Sequence, residues 1–540
     1  MDFGKNFYWG VATAAYQIEG GREDGKGDSV WDSFTRKQGA IARGENGDVA
    51  CDHYHRWKED VDLIAGLNAN AYRFSLAWTR LFPEGTGKLN RKGADFYSRL
   101  VDALLEKGIT PFMTLYHWDM PQALQEKGGF LNPAVADWFG EYAHAVAKLY
   151  GDRVRNFMTI NEPQCVLGCG YRMGVHAPGL QYGMREQLLA LHNLLRAHGT
   201  AARVLKGIKG AEVGYASCGF TYAPATESEA DINAAYERTF AFEKENPLGV
   251  ISTFSDPVFF GKYPDAYYGL EDIPAAAADD MALISSPVDF FALNIYEGRT
   301  VRRAEDGSIE QLEAPVGSPK TLMGWEITPV NMRWAPRHLY RRYGKKVYIT
   351  ENGISCQDYV FSDGKVHDSY RIEYLNSYLR ELRAAAEDGV TKLAGYFHWS
   401  LMDNFEWAEG YKQRFGLVHV DFATQKRTPK DSSFTYRDII RSNGCARAPE
   451  GRGRFCIIRA AVAHTAVGGD RMNENTVEEK LGARGACAVE RILVAEELAC
   501  KKARAYANTL TDAELAAWMD ALAEGHRSRF DAVLAALGEE

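Results

Sequence analysis

Two carboxylates, Glu162 in TINEP and Glu351 in ITENG, stand 189 residues apart, and each closes a short β-rich run before a turn-forming residue. Such a pair can do what a glycosidic bond demands. One carboxyl protonates the leaving oxygen while the other stabilises an oxocarbenium-like centre from the opposite face. At a separation of about 5–5.5 Å the second attacks the anomeric carbon and configuration is retained, whereas about 6.5–9.5 Å admits a water and inverts it. A lone Glu at a strand end is ordinarily a solvated cap. Two that face each other among amides, imidazoles and indoles are not. Roles follow from neighbours. Arg73 and the Tyr296 hydroxyl, with Asn294 beside them, stabilise Glu351 as an anion and are expected to lower its pKa, which makes it the nucleophile. Glu162 then lies near a negative charge with no cation of its own, which raises its pKa and suits a general acid.

The elements that must hold these groups are legible as a repeated strand-then-helix pattern reaching to about residue 440. Eight strands are expected, over 7–17, 71–78, 110–118, 156–163, 212–219, 289–296, 347–353 and 393–400. Amphipathic helices lie between them. Over 54–68, Tyr54, Trp57, Val61, Ile64 and Leu67 share a face, and over 93–107 Tyr97, Leu100, Val101 and Leu104 do the same. Eight units predict an α/β fold, the (β/α)8 or TIM barrel, whose site is assembled at the C-terminal ends of the strands. There the sequence turns polar or aromatic in strand after strand: Gln17, Arg73 and Trp78, His117 and Trp118, Asn161 and Glu162, Asn294 and Tyr296, Glu351 and Asn352, His398 and Trp399.

Composition narrows the class of function. The 540 residues are 46% hydrophobic and 25% charged, with a net charge of −9, so disorder and fibrous rods are excluded and no nucleic-acid partner is expected. Aromatics reach 12%, including 11 Trp and 28 Tyr, and flat rings suit the apolar faces of sugars. The nine cysteines are irregularly spaced and the N-terminus lacks a signal-peptide pattern, so reduced thiols in a cytoplasmic protein are expected. Cys165-x3-Cys169 has half the spacing of a metal site, but no second Cys/His pair of matching spacing completes it, and buried thiols are the reading taken. No apolar run approaches the roughly 20 residues of a membrane helix.

In order along the chain stand FYWGVATAAYQIEG (7–20), YRFSLAWTRLFP (72–83), LYHWDMPQAL (115–124), TINEP (159–163), HNLLRAH (192–198), MGWEI (323–327), ITENG (349–353), GYFHWSLMDNFEW (395–407) and GYKQRFGL (410–417). Over about residues 4–440 the chain resembles glycoside hydrolase family 1, the β-glucosidase family. The resemblance implies a retaining, exo-acting hydrolase with Glu162 as acid/base and Glu351 as nucleophile. It implies that Gln17, His117, Trp118, Asn161, Glu406 and Trp407 hold the terminal sugar, that Trp399 is its floor, that Trp325 is the platform for the leaving group, and that Phe415 borders the 6-position. It implies a small β-glycoside substrate and no metal or organic cofactor. Relatives that cut 6-phosphorylated glycosides replace the Glu at position 406 by Ser and carry a Lys-x-Tyr clamp. Here Glu406 is expected to repel phosphate, and Lys412 is followed by Gln413 and Arg414. β-Galactosidase, β-fucosidase or 6-phospho-β-glucosidase activity within the same family and a silent glycoside-binding relative are the alternatives to β-glucosidase.

The family pattern ends near DIIRSNG (438–444), yet the chain continues to Glu540. A barrel over 1–444, a linker over 445–471 and a mainly α-helical extension over 472–540 are expected, with helices over about 486–507 and after Thr511-Asp512-Ala513-Glu514. Leu515, Met519, Leu522, His526, Phe530, Val533 and Leu537 fall on one face of the second helix. An oligomerisation or partner module and a fused neighbouring reading frame are the two accounts of this tail.

Overall fold

The computed structural model describes residues 3–271, 273–274, 278–444 and 513–536, together with Glu496, Cys500 and Arg504. Two compact units divide the chain, Met1–Arg452 and Gly453–Glu540. In the first, eight parallel strands close into a barrel: β1 (Tyr8–Ala12), β2 (Ala71–Ser75), β3 (Thr110–Tyr116), β4 (Asn156–Asn161), β5 (Glu212–Ser217), β6 (Phe290–Asn294), β7 (Lys346–Asn352) and β8 (Leu393–Trp399). Each strand neighbours the next, and β8 returns to β1 with Ala12 opposite Trp399. All eight expected strands are present, so the chain is a (β/α)8 barrel.

The strands form because their apolar and β-branched residues are buried on both faces, against helices outside and against one another within. Aromatic rings fill the barrel. Phe112 meets Tyr8, Tyr348 and Phe397 at centroid distances of 5.0, 5.5 and 4.9 Å, and Phe290 lies 5.0 Å from Tyr348. This crowding dictates Gly10, where a Cβ would stand 2.4 Å from the Phe397 ring. The expected helices form over His53–Gly66 and Arg91–Glu106, and Tyr97, Leu100, Val101 and Leu104 are buried as one face.

Outside the barrel a buried ionic cluster ties down the loop after β8. Lys430 Nζ lies 2.5 Å from Asp358 and 2.6 Å from Asp403, Arg371 pairs with Asp358 at 2.7 Å, and Arg414 with Asp403 at 2.6 Å. Among the described residues no helix is long and apolar enough to cross a membrane.

In the second unit a helix runs over Ala513–Ala536. Of the expected face Met519, His526 and Phe530 are half-buried beside the fully buried Ala523, while Leu522 is exposed, and His526 and Arg529 pair with Glu496 at 2.6 and 3.1 Å. The side chains of Leu515 and Val533 are not described, and Leu537, the 445–471 segment and most of 486–507 lie outside the described residues.

Candidate active site

Glu351 sits near the end of β7 and Glu162 directly after β4, and the strand pairing shifts register just before each, between Ile349 and Glu351 and between Met158 and Asn161. Such irregularities re-aim a side chain. Glu162 has φ +45°, and Trp118 and Trp407 also hold positive φ, +76° and +48°. A non-glycine residue there costs on the order of 1–3 kcal/mol, so the surroundings must impose it. Gly353, after Glu351, has no room for a side chain, because a Cβ would fall 1.8 Å from the Trp399 carbonyl oxygen.

A continuous chain of hydrogen bonds links the two carboxylates. Arg73 on β2 donates through Nη1 to Glu351 Oε1 at 2.5 Å and through Nη2 to Asn161 Oδ1 at 2.5 Å. Asn294 Nδ2 donates to the same Asn161 oxygen at 3.0 Å and to Glu162 Oε1 at 2.7 Å. Tyr296 donates its hydroxyl to Glu351 Oε2 at 2.7 Å. Asn294, expected to support Glu351, also binds Glu162 and so bridges the pair. Its own amide oxygen accepts from Thr350 Oγ1 at 2.7 Å, a positioning contact that sequence reasoning missed. Trp118 Nε1 donates to the Asn161 carbonyl at 3.0 Å, and Asn161 Nδ2 lies 3.0 Å from His117 Nε2.

The site is dry. Arg73, Glu351 and Glu162 are 1%, 3% and 7% exposed. Burial, reinforced by the charge of Glu351, pushes Glu162 up to about 7, against the pull of Asn294 and Arg73. Glu351 corrects the expectation. Burial raises it above the ordinary carboxylate value, and Arg73, Tyr296 and Asn294 offset that only in part. Burial and then the two catalytic-site carboxylates push Glu406 up to about 8, so it is largely protonated at neutral pH and does not repel phosphate as a full charge. Burial and Arg73 hold His117 well below the ordinary imidazole value, so it is neutral.

Around this core the expected sugar-contacting residues converge. Gln17 Nε2 donates to Phe405 O at 2.8 Å, Asn404 Oδ1 at 3.0 Å and Glu406 Oε2 at 3.4 Å, while its buried Oε1 has no protein partner and can accept from a hydroxyl. The His117 ring stacks on Trp399 at 5.8 Å and Trp407 at 5.9 Å, and Trp118 meets Trp407 at 4.5 Å. Trp325 lies 5.2 Å from Tyr296 and 6.0 Å from Phe415. From Asn294, Tyr296 and Trp325 a cavity of about 480 Å³ opens outward past Cys165, Cys218 and Phe220. Two strand-end residues are elsewhere. Trp78 lies past the end of β2 in the helical turn Trp78–Leu81, where it stacks on Tyr142 at 5.0 Å and donates to Gly85 O, and the His398 ring packs 5.8 Å from Tyr436 because strand side chains alternate between faces.

Residues 1–445 match the family described as "Glycosyl hydrolase family 1". The chain is similar to "Beta-glucosidase A" of Thermotoga maritima, 46% identical over 82% of this chain and 98% of that one. It is likewise 46% identical to the "1,4-beta-D-glucan glucohydrolase" of Thermotoga neapolitana, over 82% and 99% of the two chains. Among solved structures, the Thermotoga maritima β-glucosidase in complex with galacto-hydroximolactam superposes with a TM-score of 0.75 at 45% identity, over 82% of this chain and all of that one.

Proposed function

Because this chain belongs to glycosyl hydrolase family 1, we propose that it is a retaining, exo-acting β-glucosidase that removes terminal non-reducing β-D-glucosyl residues from cello-oligosaccharides and other β-glucosides. In the first step Glu351 attacks the anomeric carbon as Glu162 gives its proton to the departing oxygen, leaving a covalent glycosyl-enzyme. In the second, Glu162 takes a proton from water, which displaces Glu351. The single observation that carries this reading is the buried hydrogen-bonded chain from Glu162 through Asn294, Asn161 and Arg73 to Glu351. Burial and the charge of Glu351, against the pull of that chain, lift Glu162 to about 7 and so let it carry a proton into the neutral range.

Gln17, His117, Asn161, Glu406 and Trp407 hold the sugar hydroxyls, Trp399 supports its ring, and Phe415 limits its 6-position. Trp118 positions Asn161 and Trp407. A site built from bidentate groups rejects a sugar that leaves them unpaired. Trp325 and the cavity beyond it receive the leaving group, and the glucan-cleaving name of the Thermotoga neapolitana relative favours short glucans there. Glu406 disfavours a 6-phosphosugar less by charge than was expected. The stronger argument is that Lys412 pairs with Glu409 at 3.1 Å and Arg414 with Asp403 at 2.6 Å.

The test is nitrophenol release from the 4-nitrophenyl β-glucoside, β-galactoside and 6-phospho-β-glucoside, with Glu351→Gln as blank. Turnover of the glucoside, at most slower turnover of the galactoside, and loss of both in the variant are expected. A preference for the phosphorylated substrate, or turnover that survives Glu351→Gln, would refute the proposal. The galactoside is included because the Thermotoga maritima relative was solved with a galacto-configured ligand.

A further inference from the structure

Beside Glu162 lie three thiols that hydrolysis does not use. Cys165 and Cys169 follow Glu162 on successive turns, Cys165 in the helix Pro163–Leu167 and Cys169 in the turn Gly168–Arg172. Cys218 comes directly after β5, and because β4 and β5 are neighbours in the barrel its sulfur reaches to 3.6 Å from that of Cys165. The Cys165 and Cys218 sulfurs and a Glu162 carboxylate oxygen all lie within 4.8 Å of one another. In sequence the partner of Cys165 is 53 residues away, which is why pair spacing alone did not reveal it.

The sulfur separation is informative. A disulfide requires about 2.05 Å, whereas two thiolates bound tetrahedrally at about 2.3 Å from a zinc ion stand about 3.8 Å apart. The observed 3.6 Å is already close to the edge of a metal tetrahedron. Access is provided too, since all three cysteines line the 480 Å³ cavity that opens from the site. Gln164 holds Cys218 in place, accepting from its backbone N–H at 3.4 Å through Oε1 while its Nε2 donates to Ser217 Oγ at 2.7 Å. Two sulfurs and one oxygen of this spacing suit a thiophilic d10 cation, which imposes no coordination geometry of its own.

We propose that Cys165, Cys218 and the Glu162 carboxylate form an inhibitory binding site for a d10 divalent cation, Zn²⁺ or Cd²⁺, with Cys169 as a further thiol one turn away. Binding releases the proton of each coordinating thiol, and that of Glu162 where it carries one, and no electrons are transferred. A metal-bound Glu162 has no proton for the leaving oxygen, so hydrolysis stops. The inhibitory part rests on Glu162 being the acid of the proposed hydrolase. The binding part does not.

The full-length, reduced protein, freed of metal by dialysis against a chelator, is titrated with Cd²⁺ and read by the ultraviolet thiolate-to-Cd²⁺ charge-transfer absorption. In parallel, nitrophenol release is followed with Zn²⁺ before and after chelator. One tight Cd²⁺ per chain and chelator-reversible inhibition are expected. Cys165→Ser and Cys218→Ser should each weaken Cd²⁺ binding by about tenfold or more, and Glu162→Gln, which keeps both thiols, should weaken it as well. Because the chain holds nine cysteines, an absorption change undiminished in the serine variants would place the ion elsewhere and overturn the proposal. Absence of any change in the wild type would do the same. Tight binding that leaves turnover intact would overturn the inhibitory role. If no glycoside is turned over at all, the Cd²⁺ titration still decides the site on its own.

Discussion

Glu162 keeps its proton up to about pH 7 because burial and the nearby charge of Glu351 leave its anion poorly solvated. Two consequences are measurable. In its proposed role of acid it must be protonated, so turnover should fall as pH rises through about 7, while a fall on the acid side would report protonation of Glu351, the proposed nucleophile. Glu162→Gln should erase the alkaline limb and retain activity best on substrates with activated leaving groups, which need no proton. A variant that lost more on activated than on poor leaving groups would refute the assignment. Stability gives the second consequence. An unfolded glutamate titrates near 4.5 and the folded one near 7, so the folded state binds an extra proton between these values. The stability this contributes is fully present below pH 4.5 and lost as pH rises through about 7. The neutral glutamine escapes that loss, of order a few kcal/mol at about 1.4 kcal/mol per pKa unit. Glu162→Gln should therefore raise the unfolding midpoint more at pH 8 than at pH 4.5, and an equal change at both would contradict the linkage. The residues that the structure gathers around Glu162 and Glu351 were readable because polar side chains punctuate apolar strands. The ionisation of Glu351 and Glu406 was not, since it depends on how completely the folded chain excludes water.

At the scale of elements, irregularity places the chemistry. The register shifts before Glu162 and Glu351 and the positive φ of Glu162 and Trp118 fall where strand becomes loop, and Trp407 holds its positive φ within the loop after β8. The loop from Ser400 to Phe415 carries Glu406, Trp407 and Phe415, the proposed sugar contacts, and Lys430 fixes it by bridging Asp403 to Asp358. Lys430 is fully buried, and removing one member of a buried ion pair leaves the others uncompensated at a cost of about 3–5 kcal/mol. Lys430→Met should lower the urea midpoint by a corresponding amount and raise KM more than it lowers kcat. An unchanged midpoint would mean that the cluster does not anchor the loop. All eight strands were legible from apolar runs, but every expected strand overran at its C-terminal end. The first was read to Gln17, whereas β1 stops at Ala12 and Ala15–Ile18 forms a helical turn that carries Gln17 inward. Apolar content marks burial without distinguishing a strand from the turn that follows it. Trp78 and His398 were misplaced for a related reason: membership of a strand end is visible in sequence, but which face a side chain takes depends on where the strand stops.

Across the whole molecule the family match stops at residue 445, and the two Thermotoga relatives are spanned almost entirely by 82% of this chain. The barrel also closes on itself before the tail begins. Trp9 Nε1 donates to Asn443 Oδ1 at 2.9 Å, Asn443 Nδ2 donates to Gly4 O at 3.1 Å, and the Tyr436 hydroxyl donates to Gly10 O at 2.7 Å. These contacts fasten the last barrel helix, Asp431–Arg441, across the N-terminal strand. A chain ended after Cys445 keeps all of them, and should retain kcat/KM and the unfolding midpoint of the complete protein. One ended after Arg441 loses both Asn443 contacts and should unfold at lower temperature, with activity falling in step. If the first truncation abolished turnover while remaining folded, the tail would have to supply something to the site that residues 1–445 lack. Equal behaviour of the two truncations would show instead that the Asn443 clasp does not hold the barrel closed.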